Sequence, residues 1–287
     1  MKRVLHWSAT ARNGSKRPNC GCRSFGWNNT FVGITLLAVW LSGQAEAQTP
    51  PYARPLAAAE AAYARYEPRA ALSSYEEASR LAGAAVFAID LGMARTHYDI
   101  GLDLLAEPGP RSGTESSETH FRLAVASAER LLAAYPESAV AHFMMAATLG
   151  NLAQFRGGKE RIMLARKVEH HSRAAIAIDS LLAYPYISLG ILYRELAGLT
   201  WVEQTWARLF YGEVPPASRD EAIELLRRAA ALDPLNPFVH HELAQTYLDA
   251  GDTESGTAHL RQLLVLRPQT TQDIRNQTNA RLWLRDR

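Results

Sequence analysis

From Pro55 onward, apolar residues recur three and four positions apart, and the apolar–polar alternation of a half-buried strand is absent. Ala, Leu, Glu and Arg dominate, while Pro and Gly gather at intervals. That pattern predicts helix after helix. Residues 48–55 read as a short tether and 57–83 as a helix pair of indistinct register. The clearest loop is 108–119 (PGPRSGTESSET), whose closing Ser116-Ser117-Glu118-Thr119 suits the N-cap of the next helix.

The helices repeat. Ala222-x₃-Leu226-x₂-Ala229-x₄-Pro234 is followed by Leu243-Ala244-x₂-Tyr247, Gly251-Asp252 and Pro268, with Pro234 and Pro268 34 residues apart. This is the tetratricopeptide period. Small residues at fixed places let two antiparallel helices approach, large ones fill the gap, and proline stops the second helix. Ala244 and Gly256 take the small places here, with Leu243, Tyr247 and Leu260 as filling. Leu189-Gly190-x₂-Tyr193 opens a unit whose second helix is the Ala222 segment. His142, Met145, Ala146 and Leu149 open another, which Ala175-Ile176-Ala177-Ile178-Asp179 closes. A weaker unit runs from Leu91-Gly92 through Ala124, Ala128 and Tyr135-Pro136. The expected fold is all-α, an α-solenoid of tetratricopeptide-like helix pairs, with Trp283 and Leu284 capping its end.

Between two of these helices lies LAGLTWVEQTWARLFYGEVPPASRDEA, about 20 residues more than the period allows. Leu199, Val202, Trp206 and Leu209/Phe210 fall at helical spacing, so an amphipathic aromatic helix is expected within 197–217. Pro215-Pro216 then lead into a helix capped by Ser218. The aromatics either plug the solenoid or wall a groove.

These residues resemble the regulator of microtubule dynamics family, a tetratricopeptide-like group. The resemblance rests on Leu189-Gly190, Leu199-Thr200-Trp201-x-Glu203-x₃-Ala207-x-Leu209-Phe210, Pro215-Pro216 and Glu221-Ala222. It extends upstream through Gly158-Lys159-Glu160, His171 and Ala175-Ile176, and covers roughly 135–255. The family usually places a bulky basic-aromatic pair where this chain has Ile191-Leu192. The resemblance implies the fold and the insertion. It does not carry a cytoskeletal role to this chain, for the reason that its charge supplies.

Of 31 basic and 29 acidic residues, six basic ones and one acid fall in 1–47, so the rest holds 25 against 28, a balance of −3. Its two lysines are Lys159 and Lys167, and no basic face for acidic tubulin or for nucleic acid is evident. Residues 1–47 read as a signal peptide. A basic stretch precedes the apolar run TFVGITLLAVWLSG, and Ala45-Glu46-Ala47 fits a cleavage site. The run is short for a bilayer span, which needs ~20 apolar residues. Cys20 and Cys22 both lie in this leader, so disulfides, Cys-ligated zinc and thiol catalysis are not expected beyond it. The expected organisation is a leader to 47, a tether and helix pair over 48–84, and a repeat domain over 85–287. The expected location is periplasmic or secreted.

Catalytic chemistry is hard to find. Adjacent residues on a helix point ~100° apart, so neither His170-His171 nor His240-His241 clamps one ion as an i, i+4 pair would. Both pairs are expected to be solvated or capping. Gly157-Gly158-Lys159-Glu160 has Ala153 where a phosphate loop needs its first glycine and Glu160 in place of the metal-binding hydroxyl, and reads as a turn. No enzyme activity, cofactor or metal is expected. Solenoids bind along the concave face that the first helix of each repeat lines. The register puts Phe143, Ala147, Ile187, Ile191, Arg194, His241, Gln245 and Leu248 there, with Trp201 and Trp206 beside it. A groove this apolar suits an amphipathic peptide or protein segment, and alternatively a lipid or other apolar small molecule.

Overall fold

A computed structural model describes residues 49–106, 116–199 and 217–286. The leader and most of the insertion, including Trp201 and Trp206, lie outside the described residues. Eleven α-helices and no strand occur among those residues. They are α1 (Ala53–Ala64), α2 (Pro68–Ala82), α3 (Phe87–Ala106), α4 (Ser117–Ala134), α5 (Ala139–Leu152) and α6 (Gly158–Ile178). Then come α7 (Ala183–Ala197), α8 (Arg219–Leu232), α9 (Pro237–Asp249), α10 (Thr253–Val265) and α11 (Thr271–Arg285). A 3₁₀ turn, Ala153–Phe155, lies between α5 and α6.

Short polar side chains fix where the helices begin, because the first turn has amides with no intrahelical acceptor. Ser116, Ser138, Asn236 and Asp252 each accept such an amide hydrogen at the head of α4, α5, α9 and α10. Ser218 with Glu221 and Thr270 with Asp273 form reciprocal capping boxes on α8 and α11. The expected loop over 108–119 therefore runs too far. Ser116 is the cap, accepting from the Thr119 amide, and Ser117 is already helical.

Consecutive helices pair as α1/α2, α3/α4, α5/α6, α7/α8 and α9/α10, with α11 closing the row. The odd-numbered helices also touch one another, α3 on α5, α5 on α7 and α7 on α9, and so make the inner layer. This is an α-solenoid. Its crossings are as tight as the small residues imply. A Cβ placed on Gly190 would lie 2.7 Å from Leu226 Cγ and 3.3 Å from the Ala222 carbonyl oxygen. One on Gly256 would lie 2.7 Å from Leu248 Cγ and 3.2 Å from the Ala244 carbonyl oxygen. Ala222 and Ala244 are wholly buried, as are Leu226, Leu243 and Leu263. Each such leucine contributes ~1.5–3 kcal/mol by leaving water.

The first unit has a different register from the one expected. Gly101, not Gly92, meets the second helix, where its missing Cβ leaves room for Phe121. Gly92 faces backwards onto the Tyr75 ring of α2. Helix α3 is 20 residues long and carries both close approaches. At the other end, Trp283 and Leu284 pack against Ala244, Leu260, Leu263 and Ala280, covering the last helix pair.

Candidate functional site

The candidate lining residues do not all share one environment in the inner layer. Phe143, Ile191, His241 and Gln245 are half-buried, as is Ala147, and the Phe143 ring lies 5.2 Å from that of Tyr184. Ile187 is 2 % exposed within the cluster of Ala183, Leu226, Ala229 and Val239, so it is core rather than lining. Leu248 turns toward α10, where it occupies the space left by Gly256. Trp201 and Trp206 lie outside the described residues.

Arg194 is the polar centre of this face. It donates to Glu242 at 2.7 Å, joining α7 to α9, with the two side chains only 13 % and 8 % exposed. Glu195 at 3.4 Å and Asp249 at 3.8 Å complete its surroundings, so one cation is shared among three carboxylates. The adjacent His241 is held below its usual pKa by burial, and its Nδ1 has no hydrogen-bond partner among the described residues. Two tyrosines escaped the sequence reading. Tyr98 accepts from Asn151 at 3.1 Å, linking α3 to α5. Burial, then the carboxylate of Asp233, pushes Tyr184 up to about 12. Next to Tyr98, burial raises Asp99 to about 6 although Tyr63 donates to it at 2.6 Å. The curl of the stack also brings α11 back to α3. Thr271 donates to Asp103 at 2.7 Å, and Arg275 reaches the same carboxylate at 3.3 Å.

Of the two adjacent pairs, His170 is exposed as expected, while the other three histidines are neither simply solvated nor capping. His170 stands beside the pair, while its neighbour His171 joins His142 across α6 and α5, with 3.0 Å between their Nδ1 atoms. His240 pairs with His259 across α9 and α10 at 3.1 Å, again Nδ1 to Nδ1. A third pair of the same kind, His97 and His120, joins α3 to α4 at 3.2 Å. In two of the pairs the inner histidine also uses Nε2, on the carbonyl of Pro136 or of Pro234. A carbonyl only accepts, so His142 and His240, when neutral, carry their hydrogen on Nε2. Their Nδ1 lone pairs then accept from the Nδ1–H of His171 and His259. Among the described residues no group of three or more His, Cys, Asp or Glu is arranged to hold a metal ion. No helix there is long and apolar enough to cross a membrane.

The regulator of microtubule dynamics protein 1-3 family model matches residues 91–286. The bovine regulator of microtubule dynamics protein 1 is 26 % identical over 178 residues, which are 61 % of this chain and 56 % of that protein. The Xenopus laevis regulator of microtubule dynamics protein 3 is 28 % identical over 154 residues, 53 % of this chain and 33 % of that protein. The chain thus spans about half or less of these relatives' length. Among solved structures, a thermophilic tetratricopeptide protein of Thermus thermophilus superposes with a TM-score of 0.60 at 18 % identity, over 80 % of this chain and 99 % of its own. With the match running from the α3 helix to the end of α11 and covering the helix pairs of the candidate face, the chain belongs to the regulator of microtubule dynamics family.

Proposed function

We propose that this protein is a non-catalytic scaffold that holds a peptide or protein segment along its inner helix layer. The observation that carries the reading is the row of half-buried side chains on successive inner helices: Tyr98, Phe143, Tyr184, Ile191, His241 and Gln245. Such a row offers apolar contact with a few fixed polar groups, which is what an amphipathic segment needs. The three carboxylates around Arg194 favour a segment with basic rather than acidic side chains. A photo-reactive amino acid at Gln245 is expected to give a discrete cross-linked product in cells, while the same group at exposed Arg228 on α8 gives none. Equal products at both positions would remove the inner face from consideration.

A second reading, a carrier of an apolar small molecule, draws on the adjoining rings of Phe143 and Tyr184 beside Ile191. Native mass spectrometry of protein purified without detergent separates the two, since a retained lipid mass belongs to the carrier alone. Export is also part of the proposal, supported by the leader's basic stretch, apolar run and Ala45-Glu46-Ala47. A mature chain that begins at Gln48 is expected by N-terminal sequencing of protein recovered outside the cytoplasm. An acidic partner such as the tubulin surface fits poorly with the −3 balance of residues 48–287.

A further inference from the structure

The three histidine pairs occupy one register of the repeat. His97, His142 and His240 each stand four residues before the small residue of the inner helix (Gly101, Ala146 and Ala244). The helix pair α7/α8 has Tyr186 at that place, and Leu225 where α10 has His259. Tyr186 donates to the carbonyl of Ser180, six residues upstream, just as His142 and His240 bond the carbonyls of Pro136 and Pro234. The fold therefore has a way to fasten a loop to an inner helix with no group that titrates near neutrality, yet it uses an imidazole pair in three other places.

We propose that these three pairs form an acid-released latch on the helix stack, fastening each inner helix to its outer helix when neutral and letting go as protons accumulate. One proton sits between the two Nδ1 atoms, and a pair with one extra proton can still be joined. With two imidazolium rings, both atoms carry hydrogens and no acceptor is left between them. The surroundings oppose that charge. Arg130 faces His97, His170 and Lys167 lie on the His171 side, and Arg227 of α8 faces His259. Arg130 and Arg227 are themselves paired, with Asp90 at 3.3 Å and with Glu224 at 3.1 Å, and among the described residues no carboxylate acts on the His97, His171 or His259 ring. His240 meets the Pro234 carbonyl and the ring of its partner.

The direction with pH follows. Burial first, then the partner imidazole, hold His97 and His171 down to about 4, and burial lowers His240 and His259 as well. An unfolded histidine titrates near 6.5. Between about 6.5 and 4 the unfolded chain binds more protons, so stability falls as pH falls through that window, by up to about tenfold in the folding constant per pH unit for each such group. Asp99, held near 6, works the other way below that pH and offsets one of them.

The test is urea unfolding of the full chain between pH 8 and 4, with and without the fold's own substitute. The variant H97Y/H120L/H142Y/H171L/H240Y/H259L copies the Tyr186/Leu225 solution into all three places. The native chain is expected to lose at least about tenfold in its folding constant from pH 7 to 5, and the variant to lose much less. Parallel pH curves would overturn the proposal. Ring nitrogen shifts of the native protein, read by NMR, serve if the sixfold variant does not fold. His97 and His171 neutral at pH 5.5 support the latch, and ordinary titration near 6.5 overturns it.

Discussion

A single hydrogen exchanged for a methyl has opposite consequences at two glycines of the inner layer. At Gly190 the new Cβ would meet Leu226 Cγ at 2.7 Å, and Leu226 is fully buried and has nowhere to swing. Gly190→Ala is expected to destabilise by about 1–3 kcal/mol, the usual cost of overpacking. At Gly150 the nearest atom is Val168 Cγ2 at 3.9 Å, an ordinary contact. There Gly150→Ala is expected to stabilise by about 0.5–1 kcal/mol, because alanine loses less backbone freedom in a helix. Urea midpoints of the two variants read both signs. Ser218 offers a third measurement of the same kind. It accepts from the Glu221 amide at 3.1 Å while Glu221 accepts from the Ser218 amide at 3.0 Å, so Ser218→Ala is expected to cost about 1 kcal/mol.

Between elements, the ion pair of Arg194 and Glu242 ties α7 to α9 under little water. Arg194→Ala leaves a buried carboxylate without its cation and is expected to destabilise by about 3–5 kcal/mol, whereas Arg194→Met with Glu242→Leu recovers most of that. A double variant no more stable than the single one, in the same urea assay, would contradict this account. The pair was only half legible beforehand. The period placed Arg194 on the inner face, but nothing in the chain indicates that a carboxylate 48 residues later would reach it. The same limit hid the histidine partners, which lie 19 to 29 residues apart and meet only once two helices cross. A signal did exist, since His142 and His240 each follow by six residues the proline of the preceding helix end. The crossings themselves were readable because a small residue facing a small residue has one purpose in paired helices. In α3 that logic met two glycines nine residues apart and chose the wrong one, because both are close approaches and only the partner differs. Ile187 fell out of the lining set for a related reason. Helical phase says which side of a helix a residue is on, but not how deeply the outer helix covers it.

Across the whole helix row, α11 returns to α3 beside the inner layer that is proposed to hold a segment. A helix of the second pair and the last helix of the row meet through Asp103, Thr271 and Arg275, so the face between them is closed along one line rather than open as a trough. The Asp103 and Arg275 side chains are about a third exposed, which caps the value of their attraction near 1 kcal/mol. Reversal of one charge replaces that attraction with repulsion. Asp103→Arg is therefore expected to loosen α11 without unfolding the stack, because Trp283 and Leu284 still hold it to Leu260 and Leu263. Backbone hydrogen exchange is expected to quicken several-fold over 271–285 and to stay unchanged in α5 and α6. Adding Arg275→Asp restores an opposite-charge pair and should return the exchange rates toward native. If the single variant exchanges like the native chain, the closure has no energetic weight and the inner face is accessible along its whole length. If it quickens and cross-linking at Gln245 rises with it, the α3–α11 contact is the gate through which the bound segment enters.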